Sequence, residues 1–112
     1  INFDFRLGIF GWISLPGSGI PENIGFQDQQ EVLRWTRDHI AAFGGDPSRI
    51  TVMGQSEGCS AILAHLVAPG STGLFQSVAM VSPVADVWTR GINELRTRDM
   101  IERAQCQRPT VE

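Results

Sequence analysis

Lysine is missing from this 112-residue chain, and all 9 basic residues are arginine. Set against 12 acidic residues they leave a formal net charge of -3. There is no basic surplus to gather on one face, so a nucleic-acid-binding surface is not expected. No apolar run approaches the length of a membrane-spanning helix. No grouping of His, Cys, Asp and Glu has metal-ligand spacing. Gly17-Ser18-Gly19 lacks the strand-to-helix setting of a dinucleotide loop, so no cofactor is expected. Internal repeats and low-complexity segments are absent. The chain begins with Ile1 rather than Met, so the lack of a leader-like segment says nothing about compartment. Only two cysteines occur, Cys59 and Cys106, and spacing alone permits a bond between them. Cys59 reads first as a small buried apolar residue.

What is present centres on Gly54-Gln55-Ser56-Glu57-Gly58. The apolar run Ile50-Thr51-Val52-Met53 precedes it and a helix-like stretch follows. A G-x-S-x-G sequence between strand and helix is the setting of a nucleophile elbow, in which a sharp, strained turn lifts a serine hydroxyl over the strand end. Glycine on either side relieves crowding by Cβ atoms. The turn also sets Ser56 at the start of a helix, where free N–H groups and the positive end of the dipole favour an oxyanion.

Four further blocks extend the pattern. They are Phe5-Arg6-Leu7-Gly8 with Phe10-Gly11, the run Asn23 to Gln29, the stretch Leu33 to Pro47 containing Phe43-Gly44-Gly45-Asp46-Pro47, and His65-Leu66 with Pro69 and Gly73-Leu74-Phe75. In this order and spacing, from about Asn2 to about Cys106, the chain resembles the type-B carboxylesterase/cholinesterase family. The resemblance implies a partial α/β-hydrolase fold with a parallel sheet core and flanking helices. Because members of that family are several times longer, residues 1–112 are expected to be an internal fragment of one such domain.

The element order agrees with that fold class. Asn2 to Phe5 reads as a strand end, and Gly8 to Gly25, with Pro16-Gly17 and Pro21, reads as loop. From Asp28 to Phe43, Val32, Leu33, Trp35, Ile40 and Phe43 follow a helical period. Asp28 is placed to cap this helix, with Glu31 as its capping-box partner. Ile50–Met53 reads as a buried strand, Val78–Val81 as another apolar strand, Glu57 to about Val67 as the elbow helix, and Asn93–Ala104 as a polar, mostly exposed helix. A β-α-β-α-β order implies parallel strands joined by right-handed crossovers.

Acyl transfer by serine needs a base and an acid that orients it, which in this fold follow the serine in the chain. Of the two histidines only His65 follows Ser56, and it lies on the same helix, roughly two and a half turns away. His65 and His39 therefore read as packing or surface residues. The resemblance implies an acid and a histidine beyond residue 112 and a glycine-rich oxyanion loop before residue 1. It also implies that the backbone N–H of Glu57 is one oxyanion donor, and that Cys106 pairs beyond Glu112 in a secreted or endoplasmic-reticulum protein. The chain departs from the family's usual G-E-S-A-G at two places, Gln55 and Glu57. Ser82 aligns with a family serine near the triad, though Pro83 replaces the glycine after it, and Arg6 is read as a partner in a structural ion pair. The function so read is hydrolysis of small-molecule carboxylic esters through Ser56; the alternative is a non-catalytic cholinesterase-like adhesion or binding domain.

Overall fold

The computed structural model describes residues 1–85 and 88–105. Cys106 and its pairing lie outside them. The chain divides into two compact units, one of residues 1–5 and 26–87 and one of residues 6–25 and 88–112.

The first unit carries the sheet. Strand β1 spans Thr51–Gln55 and strand β2 spans Ser77–Val81; they run parallel, with Thr51 opposite Ser77 and Gln55 opposite Val81. Helix α3, Glu57–Val67, makes the crossover between them. It is continued by a 3₁₀ turn at Pro69–Ser71, where Pro69 sits at the first position, the one place its missing N–H costs nothing. A parallel pair needs such a crossover, because a hairpin cannot return the chain to the same end. Both strands were expected from their apolar runs, and both form, but β1 is not buried as expected: its residues alternate between exposed and half-buried, because α3 covers one face of the two-stranded sheet only.

Cys59, Ile62 and Leu74 are buried with Leu33 of helix α2, Ile24–His39. The opposite face of the sheet is open. Met53, on that face of β1, is 75% exposed.

Helix α2 begins four residues before the expected start. Asn23 stands just ahead of it with φ 54°, a left-handed turn that asparagine tolerates and that swings the chain from Pro21 into the helix. Asp28 is consequently an interior residue and not a cap, and Glu31 pairs instead with Arg34 at 3.1 Å. The helix gives way to a 3₁₀ turn at Ile40–Phe43, closed by Gly44 at φ 80°. Of the periodic apolar residues, Leu33 is buried, whereas Trp35 and Phe43 are exposed and lie 6.0 Å apart, ring to ring. Beyond this turn Asp46 accepts from the Ser48 N–H and hydroxyl and from Arg49 Nε, fixing the loop into β1.

The expected strand at Asn2–Phe5 is not formed. Strands exist only by pairing, and both strands of the one sheet found among the described residues come from the later segments.

The second unit holds a short helix α1, Gly8–Trp12, within the segment expected to be loop, and helix α4, Arg90–Arg103. The buried Ser14 N–H donates to Thr97 Oγ1 at 3.0 Å, and Asn93 Nδ2 donates to the Trp12 carbonyl at 2.8 Å. Glu22 accepts from both Ser14 Oγ and the Arg90 guanidinium. These bonds order a stretch punctuated by glycine and proline. Helix α4 is capped by Thr89, whose hydroxyl accepts from the Ile92 N–H, and is polar and mostly exposed as expected.

Candidate active site

The junction of β1 and α3 is where the sequence placed the reactive serine. Ser56 adopts φ 51° and ψ -114°, a conformation that a non-glycine residue rarely holds and that costs on the order of 1–3 kcal/mol. Two contacts impose it. The Ser56 N–H donates to the Val81 carbonyl at 3.1 Å, extending the sheet ladder by one bond past the strand. The Ser56 carbonyl accepts the Cys59 N–H at 2.8 Å, opening the helix. Between them the chain must reverse, and Ser56 absorbs the turn. Its side chain makes no capping bond to α3, and the residue is exposed. The hydroxyl is thus available at the end of the strand rather than consumed in local structure.

The flanking glycines do different work. A Cβ on Gly54 would stand 2.6 Å from both the backbone C and the O of Gly58, and 2.9 Å from Ile62 Cδ1. Only glycine fits there. A Cβ on Gly58 would meet nothing within 4 Å. The expected crowding is therefore one-sided: the backbone of Gly58 presses on position 54, while the space beside Gly58 itself is open.

Two residues of the first turn of α3 brace this junction, and neither was singled out for that role by the sequence. Cys59 is fully buried, and its thiol donates to the Gly54 carbonyl at 3.2 Å with the Val81 carbonyl at 3.4 Å. Ser60 donates to the Val84 carbonyl at 2.7 Å and so holds the chain that leaves β2. Their adjacency to the second glycine was the available signal. Because Gln55 and Val81 are in register, both strands end at the same level, and each is followed by a serine in left-handed conformation, Ser82 having φ 50°. In open parallel sheets it is this carboxyl end of the strands that receives ligands.

Glu57 is the first residue of α3 and is exposed. The free N–H groups of a helix start and the positive end of its dipole favour an anion beyond that end.

His65 is not brought to Ser56. It is buried, stacked on Phe26 at 4.2 Å, and both ring nitrogens are engaged. Nε2 lies 3.0 Å from Gln29 Oε1, an acceptor, so this nitrogen carries the hydrogen. Nδ1 then accepts from Ser71 Oγ at 2.8 Å, and Ser71 in turn accepts from Gln30 Nε2 at 3.0 Å. Burial pushes the His65 pKa below its ordinary value. This network ties α2 to the turn after α3, as the packing reading required. His39 stands against Trp35 at 5.0 Å on the outer side of α2. No group of three metal-ligating side chains occurs among the described residues, and no helix there is long and apolar enough to cross a membrane.

A parallel β-α-β unit with a strained serine at its strand-to-helix junction defines a class, the α/β-hydrolase fold, here in part. The match to known proteins narrows it: residues 1–112 match the Carboxylesterase family over their whole length, and the chain belongs to that family. It is 39% identical to acetylcholinesterase 4 of Caenorhabditis briggsae, over 100% of this chain and 19% of that protein. It is 40% identical to juvenile hormone esterase of Tribolium castaneum, over 86% of this chain and 16% of that protein. Among solved structures, a thermophilic pNB esterase superposes with a TM-score of 0.85 at 34% identity, covering 93% of this chain and 22% of that one. The chain thus spans about a fifth or less of the length of these two curated relatives.

Proposed function

We propose that this chain is the nucleophile-bearing part of a serine carboxylic-ester hydrolase. Ester hydrolysis is the activity that the family carries in general. In this reading Ser56 attacks the ester carbonyl, and the Glu57 N–H donates to the oxyanion that forms. The base that takes the serine proton and the acid that orients it come from residues outside 1–112, since both nitrogens of His65 are already bonded and His39 lies on the outer side of α2. The substrates are small-molecule esters, no cofactor takes part, and the 112 residues alone are inactive. The parent enters the secretory route, as the family likeness suggests.

The observation that carries this reading is the backbone of Ser56. A chain that had lost catalysis would gain stability by relaxing φ 51° or by placing glycine there, yet the strained conformation is kept with a serine in it. The experiment is covalent labelling of the full-length protein with a fluorophosphonate, read by peptide mass spectrometry. Label on Ser56, abolished by Ser56→Ala, is the expected result. An unlabelled protein, or label confined to another serine, supports an adhesion or binding role instead.

A further inference from the structure

Glu57 is an acidic residue without an ion-pair partner among the described residues. Other charged residues have partners: Arg34 pairs with Glu31, Arg37 with Asp38, Arg49 with Asp46, Arg90 with Glu22, Arg98 with Glu94 and Arg103 with Asp99. Arg96 is taken up by the face of the Trp88 ring at 3.4 Å. The Glu57 carboxylate makes no ion pair or side-chain hydrogen bond among the described residues, and the residue is exposed. It is also the residue directly after Ser56, at the first position of α3. It is the only acidic residue in the first turn of a helix among the described residues.

We propose that Glu57 sets the charge selectivity of the ester site, excluding substrates whose acyl group is itself anionic. The inference rests on the hydrolase reading given above and deepens it. Its physics is simple repulsion at short range. A unit charge on the residue next to the nucleophile acts at short range near the protein surface, where the effective dielectric is about 20 and Coulomb energies are several times those in bulk water. An oxyanion forms on every ester, so Glu57 slows all of them to some degree, and the positive end of the α3 dipole offsets part of that common cost. A second negative charge on the acyl chain meets the carboxylate before and during attack. Neutral acyl esters do not. Discrimination therefore appears in the ratio of the two, not in the rate of either alone.

The test compares kcat/KM of the full-length protein for two p-nitrophenyl esters of matched acyl length, one neutral (butyrate) and one anionic (hemisuccinate), at low and at physiological salt. Wild type is expected to prefer the neutral ester. Glu57→Gln, which keeps the shape and removes the charge, is expected to shrink that preference about five-fold at low ionic strength, equivalent to about 1 kcal/mol. Raising salt is expected to weaken the wild-type preference and leave the Gln variant unmoved. Glu57→Asp keeps the charge and is expected to keep the preference. If the neutral-to-anionic ratio is the same in wild type and Glu57→Gln while turnover persists, the role assigned to Glu57 is overturned and the hydrolase reading stands. If wild type neither turns over the neutral ester nor labels at Ser56, the hydrolase reading falls and the selectivity falls with it.

Discussion

The thiol of Cys59 donates to the carbonyl of Gly54 at 3.2 Å, and the carbonyl of Val81 lies 3.4 Å from the same sulfur. One side chain thus touches the ends of both strands beneath the turn that holds Ser56. Val81 is also the acceptor of the Ser56 N–H, so sulfur and serine share an anchor.

Replacing that side chain should loosen the junction. Cys59→Ala removes a weak donor and a buried atom from a site that has no exposure, and a loss of about 1–2 kcal/mol is expected. Cys59→Ser keeps a donor of similar reach and is expected to recover part of it. Urea midpoints rank the three proteins. The rate of fluorophosphonate labelling, measured well below the unfolding transition, should fall in the Ala variant and be partly restored in the Ser variant. Equal labelling rates in all three would reduce Cys59 to a space-filling residue.

The two glycines of the motif should respond in opposite directions. Gly54→Ala forces a Cβ to within 2.6 Å of the Gly58 backbone, and backbone cannot be moved cheaply, so destabilisation of about 1–3 kcal/mol is expected. Gly58→Ala meets open space on a helix, where alanine is preferred by up to about 1 kcal/mol. Thermal unfolding should therefore show a lower midpoint for the first variant and an unchanged or higher one for the second. A drop at Gly58→Ala comparable to that at Gly54→Ala would contradict the geometry.

Acid should weaken the protein through His65 before its carboxylates titrate. Burial lowers the His65 pKa in the folded state, so the unfolded chain takes up the proton first as pH falls. Its contribution is complete above the unfolded value of about 6.5 and declines as pH drops through the lower folded value. Asp38 and Asp46 are also held below their ordinary 3.8, by hydrogen bonds from Arg37 and Ser48 respectively, and change charge only at more acidic pH. Urea midpoints recorded from pH 7.5 to 5 should decline in wild type. They should be flatter in His65→Gln, which cannot take up the proton. A wild-type profile as flat as the variant's would show that His65 is protonated without cost.

Much of the fold could be read from local signals. Val52 and Val78 lie in short apolar runs bounded by turn residues, and both runs are strands. The helix after Ser56 ends before Pro69 as its sequence demands. Where the reading missed, the deciding interaction was remote in sequence. Asp28 has the right neighbours for a cap, but the turn at Asn23 starts the helix earlier. Asn2–Phe5 has strand-like residues and lacks a paired strand. At the site, the motif located Ser56 and the strain that holds it. It could not reveal that Cys59 reaches Val81 or that Ser60 reaches Val84, since those contacts depend on β2 returning beside β1. The bonds of His65 to Gln29 and Ser71 were hidden for the same reason.

The bond from the Ser56 N–H to the Val81 carbonyl also makes the turn dependent on the second strand. Nothing in the segment Gly54–Gly58 can hold a left-handed serine by itself; the conformation needs β2 in place. The turn so anchored is complete only where Val81 lies beside Gln55. Closing the loop between them costs entropy that only the completed pair of strands repays. If the turn is what makes Ser56 reactive, a chain in which β2 has not paired with β1 carries Ser56 as an ordinary hydroxyl.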